Sequence, residues 1–180
     1  TDWNIYSPVW APVSLEDQWL KLQDKDPFDY AKVERKIPAS KELKVSFDLK
    51  AGQNNKGTLH IEFLDENGIA CSRIELTDDG IFRLKGGSRF ANMMKYEAGK
   101  IYHVEAVLST VDRNIQVYVD GKRVGLRMFY APVAAVERIV FRTGVPRTFP
   151  TVDTPADQTY DLPNAGAQDP LAEYGIANVK

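Results

Sequence analysis

Apolar and polar residues alternate one by one through much of this chain, and that period decides what backbone it can use. In "LKVSFDLK" (43–50), Leu43, Val45, Phe47 and Leu49 fall on one side, with Lys44, Ser46, Asp48 and Lys50 on the other. Successive side chains point to opposite faces in an extended strand, so each such segment has one face to bury and one to wet. "TLHIEFLD" (58–65) sets Leu59, Ile61 and Phe63 inward and His60 and Glu62 outward. "SRIELT" (72–77) buries Ile74 and Leu76, "IYHVEAVLS" (101–109) aligns Tyr102, Val104, Ala106 and Leu108, and "NIQVYVDG" (114–121) adds Ile115, Val117 and Val119. "ERIVFRTG" (137–144) supplies Ile139 and Phe141.

Turn chemistry punctuates these runs: "DENG" (65–68), "DDG" (78–80), "KGG" (85–87), "EAG" (97–99) and "DG" (120–121). Gly, Asn and Asp tolerate the positive φ that tight hairpins demand. Helical spacing is weak. "VSLEDQWLKL" (13–22) comes nearest, and "APVAAVERI" (131–139) has room for one short turn. Many short strands with closely spaced turns and no internal repeat predict an all-β fold, a jelly-roll β-sandwich of two antiparallel sheets. The stretch 143–170, rich in Pro, Asp, Thr and Gly, is expected as a long irregular loop, followed by a closing strand at 172–180 placed beside the first.

The 180 residues suit one domain, 1–180, with a sizeable core. Acids and bases are interspersed with a net charge of −2, which lacks the basic excess of a nucleic-acid binder. No apolar run is long enough to span a bilayer as a helix. Cys71 is alone, so no disulfide forms within the chain. Thr1 follows no Met or signal-like segment and Lys180 falls in strand-like sequence, which leads us to expect a piece of a longer protein.

"AGKIYHVEAVLSTVDRNIQVYVDGKRV" (98–124) resembles the hairpin of concanavalin A-like lectin/glucanase domains, close to the laminin G-like branch. Gly99, Tyr102, His103, Val104, Tyr118, Val119, Asp120, Gly121, Lys122 and Val124 carry the match, and "GTLHIEFLDENGIACSRIELTDDGIFRLKGG" (57–87) resembles the middle strands. The resemblance implies the concanavalin A-like sandwich and an accessory domain of a bacterial polysaccharide-degrading protein, secreted, periplasmic or at the cell surface. "YGIANVK" (174–180) is similar to the last strand of such domains, with Ala177 where an Asp often stands. In some relatives that Asp helps hold a structural calcium, so the resemblance does not support calcium or any other cofactor here.

Glycan is the implied partner, together with an adjoining domain. The outward strand positions carry His60, Glu62, Arg73, Glu75, His103, Glu105, Gln116, Tyr118, Arg138 and Arg142. If these strands are neighbours in one sheet, they form a surface of bidentate and aromatic groups of the kind that holds sugars. Arg73, Arg138 or Arg142 would favour an acidic sugar such as a uronate. The plainer reading, which takes precedence, is a solvated sheet face laced with cross-strand ion pairs.

Catalysis is the competing reading. Glucanases of the resembled fold carry Glu-x-Asp-x-x-Glu on one strand, and Glu62, Asp65 and Glu66 have the wrong spacing. "RIEL" (73–76) and "YEAGKIY" (96–102) mimic pieces of alginate lyases, so a lyase or hydrolase of acidic glycans would use His103, Tyr118, Arg73 and Glu75. The sequence favours a non-catalytic domain. Asp24, Asp26 and Asp29 in "DKDPFD" are an oxygen cluster that fails the EF-hand pattern, and Asp26-Pro27 reads as a turn. A third reading, a protein-interaction domain, would use the 143–170 segment and the aromatics Trp3, Tyr6 and Trp10. Trp19 is expected in the core, and "FANMMKY" (90–96) over a sheet edge.

Overall fold

The computed structural model describes residues 3–144 and 167–180. Among them are fourteen strands and no helix: β1 (Trp3–Tyr6), β2 (Val13–Glu16), β3 (Trp19–Asp24), β4 (Lys32–Ser40) and β5 (Glu42–Ala51) come first. Then follow β6 (Leu59–Leu64), β7 (Ala70–Leu76), β8 (Ile81–Gly86), β9 (Arg89–Lys95) and β10 (Ile101–Ser109). β11 (Asn114–Val119), β12 (Lys122–Met128), β13 (Val136–Thr143) and β14 (Ala172–Ala177) complete the set. No helix long and apolar enough to cross a membrane occurs among these residues.

Two seven-stranded sheets face each other. The first runs β1-β4-β13-β6-β7-β8-β9, the second β12-β11-β10-β5-β14-β3-β2, and every pairing is antiparallel. The alternation read from sequence decides the facing. Phe47, Leu49, Ile61, Phe63, Ile74, Val104, Val117 and Phe141 are sealed between the sheets. Phe47 meets Phe141 edge-on at 5.1 Å across the interior, and Phe82 packs edge-on against Tyr96 and Tyr102 at 5.7 and 5.6 Å. Such pairs add about 1 kcal/mol each beyond the area they bury. Turn chemistry holds too: Gly68, Gly80, Gly87, Gly99 and the Asp120-Gly121 pair all take positive φ.

Several expectations change. The helix-like stretch 13–22 is the β2–β3 hairpin, turned by Asp17 and Gln18 at φ 49° and 69°. Residues 131–135 form no helical turn; they lead irregularly into β13. β14 does not lie beside the first strand, because β1 belongs to the other sheet. It fills the gap between β3 and β5, and the chain end beyond it still hydrogen-bonds through Lys180 to Ser46 at 2.9 and 3.1 Å. The 90–96 segment does not pack over a sheet edge: as β9 it is itself the edge strand of the first sheet, paired with β8. Of the expected 143–170 loop, residues 145–166 lie outside the described residues.

Candidate functional site: the outer face of the first sheet

Register decides which outward residues meet. On the first sheet Arg142 stands opposite His60, His60 opposite Glu75 and Glu75 opposite Arg83. One step along, Val140, Glu62, Arg73 and Lys85 form a parallel row. Lys32, Glu34 and Lys36 of β4 flank Arg142, Val140 and Arg138. His60, Glu62, Arg73, Glu75, Arg138 and Arg142 are therefore brought together on one face. His103, Glu105 and Tyr118 are not: they belong to β10 and β11 of the second sheet, on the far side of the sandwich. The single surface expected from sequence is two surfaces.

The first face is drier than a solvated sheet. His60 is 2% exposed, Glu75 4% and Glu62 7%, although all three point away from the interior. Carboxylates so placed need partners, since an unpaired buried charge costs several kcal/mol. Arg73 supplies Glu62 with Nε at 2.8 Å and Nη2 at 2.6 Å. Arg83 grips Glu75 with a two-pronged pair, both contacts at 2.8 Å. Burial would raise the Glu34 carboxyl, but Lys32, Asn4 and Arg138 hold it below its ordinary value.

The cations are also covered by rings. Arg142 lies 4.2 Å from the Tyr30 ring centroid, Arg83 lies 4.3 Å from Phe90, and the Lys85 ammonium lies 4.5 Å from Tyr130. Tyr130 arrives from the loop after β12, anchored by its amide donating to the Cys71 carbonyl at 3.0 Å. The sequence reading missed Lys32, Glu34, Arg83, Lys85, Tyr30, Phe90 and Tyr130; alternation in "IFRLKGG" was the available signal for Arg83 and Lys85.

Among the buried polar atoms here without a hydrogen-bond partner are His60 Nδ1, the Tyr130 hydroxyl and Arg138 Nε. His60 Nε2 lies 2.8 Å from the Gly144 carbonyl and therefore donates to it. Burial first, then the charges of Arg73 and Arg142, pull the imidazole pKa down to about 3, so the ring is neutral and Nδ1 is an acceptor. Burial pushes the Tyr130 phenol up to about 12. The face thus offers cations and ring faces, laid over a buried imidazole acceptor and a buried hydroxyl.

Elsewhere the candidates have separate employment. His103 Nδ1 contacts Asp48 at 2.8 Å, Tyr118 donates to Gln116 at 3.0 Å, and Glu105 pairs with Lys44 at 2.8 Å. The enzyme constellation His103, Tyr118, Arg73 and Glu75 is split across opposite faces of the sandwich and forms no single centre. Asp24 and Asp26 accept backbone amides of residues 26, 28 and 29, the work of a turn. Among the described residues no group of three His, Cys, Asp or Glu side chains converges as a metal site. Trp3 lies against Phe141, 6.3 Å between centroids, and Tyr6 donates to Asp29.

A β-sandwich with a polar, aromatic-lined outer sheet face is the architecture of carbohydrate-binding modules and of lectin-like domains. The model of the sialidase-like CBM (carbohydrate-binding module) domain family matches residues 3–158, and the chain belongs to that family. A solved structure described as a sialidase is 87% identical over 99% of this chain, with a TM-score of 0.91. The chain spans only 16% of that sialidase, so it corresponds to an accessory domain. More distant folds are similar in outline. A polysaccharide lyase family 7 alginate lyase, AlgAT5, has a TM-score of 0.61 at 13% identity, covering 100% of this chain and 93% of its own. The module CBM66 from Bacillus subtilis has a TM-score of 0.57 at 12% identity, covering 99% and 94%. Both show the concanavalin A-like fold alone. No curated protein sequence matches the chain.

Proposed function

We propose that this accessory domain holds an anionic glycan on the outer face of the first sheet and keeps a larger, extracytoplasmic glycan-processing protein at its substrate. The observation that carries this reading is the charge balance of the face. Setting aside Arg142, which packs on Tyr30, Lys32, Lys36, Arg73, Arg83, Lys85 and Arg138 share it with Glu34, Glu62 and Glu75, two cations for each carboxylate among these strand positions. Lys85 reaches no carboxylate among them; its ammonium faces the Tyr130 and Phe90 rings instead. Carboxylate or sulfate groups of a sugar would complete that balance, and guanidinium groups recognise them in a directional, two-pronged way. The rings supply surfaces for sugar C–H faces. The adjoining domains, and with them the reaction, belong to the same proposal, resting on the 87% identical sialidase.

Calorimetric titration with sialyllactose, polygalacturonate, a sulfated galactan and uncharged lactose tests it. Binding to at least one anionic probe should weaken as salt rises, and Lys85→Glu should weaken it further by about tenfold. Binding of the anionic probes that is indifferent to salt, or indifferent to Lys85→Glu, would refute the assignment.

A further inference from the structure

The outer face of the second sheet carries a hollow of about 250 Å³ that the anionic-glycan face leaves unexplained. Trp19, the first residue of β3, forms one wall. Glu16 of β2, the turn residue Asp17, Lys21 of β3, Lys50 of β5, Ile101 of β10 and Glu173 of β14 form the rest. Two glycines, Gly52 and Gly175, keep it open. A Cβ added to Gly175 would sit 3.0 Å from Trp19 Cε3, so the indole lies across a strand position that only glycine leaves clear. The expectation that Trp19 belongs to the core is thereby corrected: the ring is partly exposed, because residues 19, 21 and 23 are the outward set of β3.

The rim has a definite chemistry. Lys21 is committed to Glu16 at 2.9 Å and Glu173 at 3.6 Å, and Gln23 donates to Glu173 at 2.8 Å. Lys50 is exposed and reaches no carboxylate among the described residues, and it stands opposite the half-exposed Ile101. Asp17 is held at the rim by a backbone in the left-handed region, φ 49°, which L-residues adopt at a cost. Glu16, Asp17 and Glu173 outnumber Lys21 and Lys50, so an anionic ligand would be repelled. An apolar ring wall, carboxylates that accept paired hydrogen bonds and one ammonium donor suit a polyhydroxylated, uncharged molecule with a C–H face.

We propose that this hollow is a second sugar site, taking one neutral pyranose residue of a glycan with its C–H face on Trp19 and its hydroxyls shared among Lys50, Asp17 and Glu173. It stands on the opposite side of the sandwich from the cationic face. One domain then engages two glycan segments of different charge, and simultaneous contact raises avidity without new contacts at either site.

The test is nitrogen-15 NMR of the whole 180-residue chain, titrated with methyl β-galactoside, methyl α-mannoside, the methyl glycoside of N-acetylglucosamine, and lactose. At least one should shift the Trp19 indole N–H and the Gly52 and Gly175 amides saturably. The Tyr130 and Lys85 amides should stay in place, and they report separately on the anionic face. Trp19→Ala should abolish the saturable shift, and the exposed Lys50→Ala should weaken it by about tenfold, equivalent to about 1.4 kcal/mol. Should Trp19→Ala fail to fold, Lys50→Ala alone decides. The proposal is overturned if none of the four sugars moves those three signals, or if Lys50→Ala leaves the binding unchanged. Movement caused only by sialyllactose or polygalacturonate would also overturn it.

Discussion

Arg73 and Glu62 stand directly opposite each other on β7 and β6, and two guanidinium nitrogens converge on one carboxylate oxygen, at 2.6 and 2.8 Å. Neither side chain is more than 17% exposed. Water therefore cannot replace the partner when one is removed. Arg73→Met should cost about 3 kcal/mol, because Glu62 is left charged and buried. The double variant Arg73→Met/Glu62→Met should recover most of that loss, since an apolar pair of similar volume removes both desolvation costs. Urea unfolding of the two single variants and the double variant measures the coupling. Strict additivity would mean that the pair does no more than an exposed bridge.

His60 makes stability depend on pH in a calculable direction. Its ring is held neutral in the fold, with the pKa lowered from 6.5 to about 3 by burial and by Arg73 and Arg142. The unfolded chain therefore binds a proton between those values and the folded chain does not. Stability is full above about 6.5 and falls as the pH drops toward about 3. At pH 5 the loss from this group alone is about 2 kcal/mol. Comparing urea midpoints at pH 7 and pH 5 for the wild type and His60→Gln isolates it, because other titrating groups are common to both proteins. The variant should lose less on acidification, and equal losses would show that His60 already ionises in the fold.

The alternation in 43–50, 58–65, 101–109 and 114–121 was enough to place β5, β6, β10 and β11 and to orient each face, because the period of two is a local property. Other strands lacked that signature. In β4, "KVERKIPAS", Arg35 occupies an inward-side position, lies 5.9 Å from the Trp3 ring and donates to the Val179 carbonyl at 3.2 Å, so a charged residue interrupts the apolar row. The 13–22 stretch mimicked helical spacing because a two-residue turn of Asp17 and Gln18 resets the alternation between β2 and β3. The sites were half legible. Which residues point outward follows from each strand, but which strands share a sheet follows from pairings far apart in sequence, such as β13 with β6. Strand patterns alone therefore put His60 and His103 together, and only the pairings separate them. The burial of His60 was illegible for the same reason, since its hydrogen-bond partner is Gly144.

Gly57 shows how the late strand β14 constrains the loop before β6. Its φ is +70°, and a Cβ there would fall 2.3 Å from the Ala172 Cβ and 3.1 Å from the Tyr174 hydroxyl. Gly99 shares the positive φ, yet a Cβ there meets nothing within 4 Å. Alanine at Gly99 should thus cost only the left-handed strain of an L-residue, about 1 kcal/mol. Alanine at Gly57 adds a steric clash with a strand that β3 and β5 hold on both sides, and overpacking of that kind costs a further 1–3 kcal/mol or so. For a chain of this size each kcal/mol lowers the melting temperature by roughly 3 °C. Gly57→Ala should therefore melt well below Gly99→Ala in a thermal scan. Coincident melting curves would show that β14 yields at Ala172, and that its position between β3 and β5 is softer than the register implies.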